Sequence, residues 1–214
     1  MVLTIGEEKP LGICGSGLIT MVASLFETGV IDNQGKFDRD LDTPRIREAE
    51  DGIWEYVVVW AQDSGVDRDV VLQEPDIDNL IRAKGAIYSG CMTLMNEVGL
   101  SLSELDRVLL AGGFGSYIDL EKALTIGLLP EMDPERISFV GNGSLMGAKM
   151  SSLNNHIRQN VVEVTKKMTN FELSETTSYM DNFMASLFLP HTDLDKFPRV
   201  QSRLTERRKY LSGA

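Results

Sequence analysis

Three short stretches of this chain place glycines where an apolar run or loop gives way to a helical pattern. They are Gly12-Ile13-Cys14-Gly15-Ser16-Gly17, Gly112-Gly113-Phe114-Gly115-Ser116 and Gly141-Asn142-Gly143-Ser144. The second ends the apolar run VLLA (108–111), and the third ends ISFV (137–140). Both runs have the length and character of buried strands. A glycine has no Cβ and accepts a positive φ, so such a turn lets a flat ring or a phosphate approach the main chain. In α/β proteins that edge of the sheet, at the carboxyl ends of the strands, is where ligands usually lie. The helix N-termini that follow favour anions. By itself a glycine cluster after a strand is more often a tight turn than a nucleotide site. Neither the dinucleotide GxGxxG nor the GxxxxGK[ST] P-loop occurs.

The rest of the pattern is also α/β. Residues 1–6 have the look of a strand end. Leu18, Met21, Val22, Leu25 and Phe26 recur at helical spacing, with Ser16 as the expected N-cap and Gly29 as the stop. NQGKF predicts a tight turn around Gly35, and residues 38–52 an exposed connection. EYVVVWAQ (55–62) and DVVLQ (69–73) predict a β-hairpin. A long amphipathic helix is expected to begin near Pro75 and end at Gly99, with Ile77, Leu80, Ile81, Ala83, Ile87, Cys91, Leu94 and Met95 on its apolar side. DLEKALTIGLLP and GSLMGAKMSSLNN predict two further helices, and the tail from Phe171 a strand and then an amphipathic helix. The basic RLTERRKY near the end is expected to form a solvated helix. Met92, Met95, Met146, Met150, Met180 and Met184 are expected to fill gaps in the core.

Composition removes several functions. The net charge of −11 argues against nucleic acid or an anionic membrane surface as the main partner. No apolar run approaches the roughly 18 residues that a membrane span needs. MVLTIGEEKP has no basic start or apolar core of a leader, so the cytoplasm is the expected compartment. Only Cys14, Cys91, His156 and His191 offer sulfur or imidazole ligands, too few for a four-thiolate cluster from this chain alone. Asp63, Asp67 and Asp69 lack the glycine and closing glutamate of a calcium loop, which leaves a solvated turn.

Five motifs in order carry a resemblance: LGICGSGLI, DIDNLIRAKGAI (76–87), VLLAGGFGSYID (108–119), IGLLP (126–130) and VGNGSLMGAKM (140–150). They resemble the carboxy-terminal region of the ATP-dependent reductive activators of corrinoid proteins. That family belongs to the superfamily of acetate and sugar kinases, heat-shock chaperones and actin. The resemblance implies a ribonuclease-H-like lobe over residues 1–168, a mixed sheet flanked by helices. It carries an inserted β-hairpin subdomain at 30–75, and residues 169–214 form a carboxy-terminal extension. It implies ATP and Mg²⁺ as cofactors, with AGGFG (111–115) in the place of the adenosine motif and GNGSLMGA (141–148) in that of an interdomain connecting helix.

The implied activity is the return of an inactive Co(II) corrinoid protein to Co(I), with electrons from an amino-terminal [2Fe-2S] domain. The acidic phosphate loops and that cysteine-rich domain are absent from these residues, so Met1 is expected to begin a truncated or partial product. Gly143-Ser144-Leu145 replaces an expected alanine-rich stretch. The nucleotide-binding candidates are Gly112, Gly113, Phe114, Gly115, Ser116, Gly15, Ser16, Gly17, Lys84, Gly141 and Asn142. For most of them a structural role competes. Phe114 has the core as an alternative, Ser116 and Ser16 a helix cap, and Lys84, like Arg82, a solvated helix face. The implied partners are a corrinoid protein and a second copy of the chain. The other classes left open are a small-molecule kinase lobe and a non-catalytic docking lobe.

Overall fold

The computed structural model describes residues 4–112 and 117–212. It is a mixed α/β domain of helices and small sheets. The first helix, α1 (Gly15–Thr28), starts at Cys14, whose Sγ accepts the Gly17 N–H, rather than at the expected Ser16. It stops where Gly29 turns left-handed, φ 77°, and its N–H reaches back to the Leu25 and Phe26 carbonyls. Its buried stripe of Ile19, Val22, Ala23 and Phe26 is the middle of the core.

The chain then makes the expected tight turn at Gly35, closing an Ile31–Phe37 bridge whose side chains join that core. A Cβ on Gly35 would meet the Ile77 side chain at 2.6 Å, so the turn packs directly on the second helix. The expected hairpin forms as β2 (Trp54–Val59) against β3 (Val70–Gln73). A short β1 (Ile46–Glu48), inside the stretch expected to be a loop, extends it to a three-stranded antiparallel sheet. Between β2 and β3, Asp69 accepts the Ala61 N–H and pairs with Arg47 at 2.8 Å, as a turn requires.

Helix α2 (Glu74–Glu97) has Pro75 in its first turn and a capping box between Gln73 and Asp76. Its buried face differs from the expected one. Ile77, Ile81 and Met95 are inside, but Ile87 and Leu94 are half exposed, and the face is completed by Lys84, Tyr88, Ser89 and Thr93. The carboxy-terminal segment packs there and supplies partners for Lys84 and Thr93, while the Ser89 hydroxyl donates to the Gly85 carbonyl of its own helix. Among its described residues that segment forms no strand. A 3-10 turn at Leu173–Glu175 precedes α6 (Thr177–Ala185), which packs on α2.

Strands β4 (Val108–Ala111) and β5 (Ile137–Gly141) pair in parallel as a separate two-stranded sheet. They are not the buried strands expected: Leu109 is 60% exposed and Phe139 40%. A single mixed sheet is not formed among the described residues, because the antiparallel and parallel strands share no pairing. The start of the chain is a 3-10 turn at Ile5–Glu7 rather than a strand. Helix α3 (Leu120–Thr125), capped by Asp119, lies between β4 and β5 in sequence and packs on α1. Helices α4 (Gly143–Leu153) and α5 (Asn155–Thr165) pack on each other and bury no residue. Of the six methionines expected to fill the core, Met146 and Met150 of α4 and Met180 and Met184 of α6 are exposed, whereas Met95, with Met92 beside it, serves the core.

The last helix, α7 (Pro198–Ser212), is not simply solvated. Val200 and Leu204 are buried, and it packs on α1. Glu27 of α1, itself buried, binds Lys122 at 2.5 Å, the Thr125 hydroxyl at 3.2 Å and Arg207 at 3.4 Å. One carboxylate thus ties α1, α3 and α7 together, its charge offset by two cations as burial demands.

Candidate functional site

The glycine turns fall at two places. The first is the carboxyl edge of the β4–β5 pair. The Gly112 N–H donates to the Gly141 carbonyl at 2.7 Å, so the two strand ends lie side by side. Gly112 has φ 113° and Gly141 φ 67°, conformations that side chains resist. Helix α4 starts immediately beyond, with the Asn142 side chain accepting the Leu145 N–H at 2.9 Å. A Cβ on Gly143 would stand 3.6 Å from the Ala111 Cβ, so the helix start nests against the end of β4. Gly112, Gly141 and Asn142 are therefore brought together with a helix N-terminus at the end of two parallel strands. Gly113, Phe114, Gly115 and Ser116 lie outside the described residues.

The second place is the start of α1. It opens onto a groove of about 750 Å³ whose lining includes Gly12, Cys14, Gly15, Arg68, Gln73 and Asn79. Gly15 lines this groove; Ser16 and Gly17 do not. No residue of β4, β5 or α4 is among its walls. The sequence pattern missed the role of Cys14. Its thiol, hydrogen-bonded to the Ser16 hydroxyl and the Gly17 N–H, is held below the ordinary thiol range. The signal was present in the order Cys-Gly-Ser-Gly at a helix start.

Lys84 is at neither place. Both a reach into a cleft and a solvated face would put its amine at the surface, yet Lys84 has no exposed area. Its Nζ donates to the carbonyls of Phe188 and Pro190. Those acceptors stand more than a hundred positions away in sequence, where no local pattern could find them.

The open main chain at Gly112 and Gly141, beside the α4 N-terminus, fits a nucleotide. It offers backbone approach and helix N–H groups rather than side-chain charge. The same residues do not fit Mg²⁺ by themselves. Among the described residues no group of three or more carboxylate, thiol or imidazole side chains is placed to hold a metal ion.

Trp54 packs against the core, with Arg39 4.7 Å above its ring. Trp60 is half buried beneath Arg45 and Arg47. Among the described residues no helix is long and apolar enough to cross a membrane.

Residues 1–201 match a family described as the C-terminal domain of RACo, the ASKHA domain. The chain belongs to that family. It is 30% identical over 186 residues to the corrinoid activation enzyme RamQ of Eubacterium limosum, covering 84% of this chain and 31% of that one. It is 32% identical over 109 residues to a [Co(II) methylated amine-specific corrinoid protein] reductase of Methanosarcina barkeri, covering 51% of this chain and 20% of the reductase. The solved structure of a reductive activator for corrinoid,iron-sulfur protein superposes with a TM-score of 0.82 at 50% identity. That match covers 87% of this chain and 30% of the activator. The chain therefore spans less than a third of the length of these relatives, and it is a domain of the corrinoid reductive activator family.

Proposed function

We propose that this domain is the nucleotide-binding lobe of an ATP-dependent activator that returns a Co(II) corrinoid protein to Co(I). The observation that carries the reading is the juxtaposition of Gly112 and Gly141 at the ends of two parallel strands, next to the start of α4. In a lobe of ribonuclease-H type this edge faces the nucleotide. The α4 N–H groups would meet phosphate oxygens there, and the glycines would let adenine or ribose rest on the main chain. Asn142 holds the helix start in place by capping it.

ATP when bound would supply the free energy for moving a low-potential electron onto cobalt. The chain's own contribution is to bind and orient that nucleotide. Carboxylates for Mg²⁺ and the [2Fe-2S] electron donor would come from other parts of a protein of the relatives' length. The relatives' names, each a corrinoid activator or reductase, favour this reading over a sugar- or acetate-kinase lobe.

On the same reading a second lobe would cover exposed apolar residues of β4, β5 and α4, among them Leu109, Phe139, Leu145, Met146 and Leu153. The corrinoid protein is the proposed docking partner.

Calorimetry of adenine-nucleotide binding tests the site. In a protein of the relatives' length, Gly113→Val is expected to weaken binding more than about tenfold while circular dichroism shows the fold unchanged. Equal affinity in a folded variant would place the nucleotide elsewhere.

A further inference from the structure

The tail segment around Leu189 stands where three parts of the domain meet. The Leu189 N–H donates to the Asn33 carbonyl at 2.8 Å, and its side chain is buried. The turn after α3 presses on the same segment, so that a Cβ on Gly127 would lie 2.2 Å from the Pro190 oxygen. From α2, the Lys84 Nζ donates to the Phe188 carbonyl at 2.5 Å and to the Pro190 carbonyl at 2.6 Å. No carboxylate lies within ion-pair distance of that nitrogen among the described residues.

Donor counting favours one protonation state. A neutral amine has two N–H groups for the two carbonyls. An ammonium would bring a third N–H without an acceptor and a buried charge without a counter-ion.

The surroundings are short of negative charge. Along α2 the neighbours are Tyr88 and Cys91. From the tail come His191, Asp193 and Lys196, of which Asp193 acts on Tyr88 and His191, while burial alone acts on Lys84. The His191 ring packs 5.3 Å from Tyr88 and 6.1 Å from Phe197. Its Nδ1 accepts the Asp193 N–H at 2.9 Å, and its buried Nε2 has no hydrogen-bond partner. Helix α6 turns Asn182 toward Thr93 of α2 and leaves Asp181 exposed. From the α3 turn, Gly127 lies against Pro190.

We propose that Lys84 is a protonation-sensitive latch: its neutral amine fastens the tail (residues 186–212) to α2 through the Phe188 and Pro190 carbonyls, and proton uptake loosens it. Burial brings the Lys84 pKa from the ordinary 10.5 down to about 7. A lysine depressed in the closed state binds fewer protons there than when the tail is open. Closure therefore strengthens as pH rises from 7 toward 9. His191, with its pKa lowered by burial and by Lys196 and Lys84, is already neutral in this window. Tyr88, raised to about 12, stays protonated. The Cys91 thiol, raised by burial, opposes closure at the upper end, equally in wild type and variant.

Hydrogen exchange of peptides covering residues 186–204 in the 214-residue chain, corrected for intrinsic rate, reads the latch directly. Protection is expected to rise about tenfold or more between pH 7 and 9 in the wild type, and to stay level or fall in Lys84→Met. A level wild type, or the same rise in a folded Lys84→Met, overturns the proposal. Should Lys84→Met fail to fold, the ¹³Cε titration of Lys84 in the wild type decides: a midpoint near 7 supports the latch and one near 10 overturns it.

Discussion

At Gly127 and Gly99 two glycines share a left-handed backbone but differ in what surrounds them. Gly127, φ 72°, faces the Pro190 carbonyl, whereas Gly99, φ 69°, has nothing within 4 Å of where a Cβ would stand. A methyl group at Gly127 must push the Pro190 segment off Lys84 and Asn33, while one at Gly99 meets only the backbone cost of about 1 kcal/mol. Gly127→Ala is accordingly expected to cost roughly 3 kcal/mol or more in denaturant unfolding. Gly99→Ala should cost about a third of that. Similar losses for both would mean the Pro190 segment gives way easily. Glu27 is a second residue whose partners decide its weight. Glu27→Ala leaves Lys122 and Arg207 facing a gap between three helices and is expected to cost about 3 kcal/mol. A thermal melt unchanged from the wild type would show that α7 is held by Val200 and Leu204 instead.

Among the helices, burial separates a firm half from a loose one. Helices α1 and α2 carry continuous buried faces, whereas α4 and α5 bury nothing. Helices of about 11 residues are marginal without tertiary packing. In this chain alone, amides of 143–165 are expected to exchange faster than those of α2 by about a hundredfold or more. Equal protection would mean that the α4–α5 pair is stable in isolation. The elements most legible in the sequence were those whose signals are local: Gly29 ending α1, Pro75 opening α2, Gly35 at its turn, and the β2–β3 hairpin from its β-branched runs. Misreadings occurred where burial is decided by distant chain. VLLA is apolar enough for a covered strand, but no layer covers Leu109 among the described residues. Ile87 and Leu94 share the helical period, yet the side of α2 that is buried is chosen by α6 and the Pro190 segment.

For the whole molecule, the placement of the glycine turns was the legible part of the candidate site. Gly112, Gly141 and Asn142 meet where a strand-end reading puts them. Gly15 instead opens on a separate groove, and Lys84 is inside the core, because neither distance is written in local spacing. That no group of three metal-holding side chains occurs among the described residues bears on activity. Phosphoryl chemistry rests on positioning and metal-assisted charge stabilisation, so the 214-residue chain alone is expected to show no Mg²⁺-dependent ATP hydrolysis above buffer. Turnover abolished by Gly113→Arg would contradict that. On the proposed function, a protein containing this domain spends ATP to reduce a corrinoid cobalt, which spectroscopy of the cobalt reads out. The absorbance of a Co(II) corrinoid protein is followed under a low-potential reductant, with a polypeptide of the relatives' length that carries this domain. Conversion to Co(I) is expected with ATP, little with ADP or no nucleotide, and a large loss of rate in Gly113→Val. Conversion at the same rate without ATP, or unchanged by Gly113→Val, would contradict it.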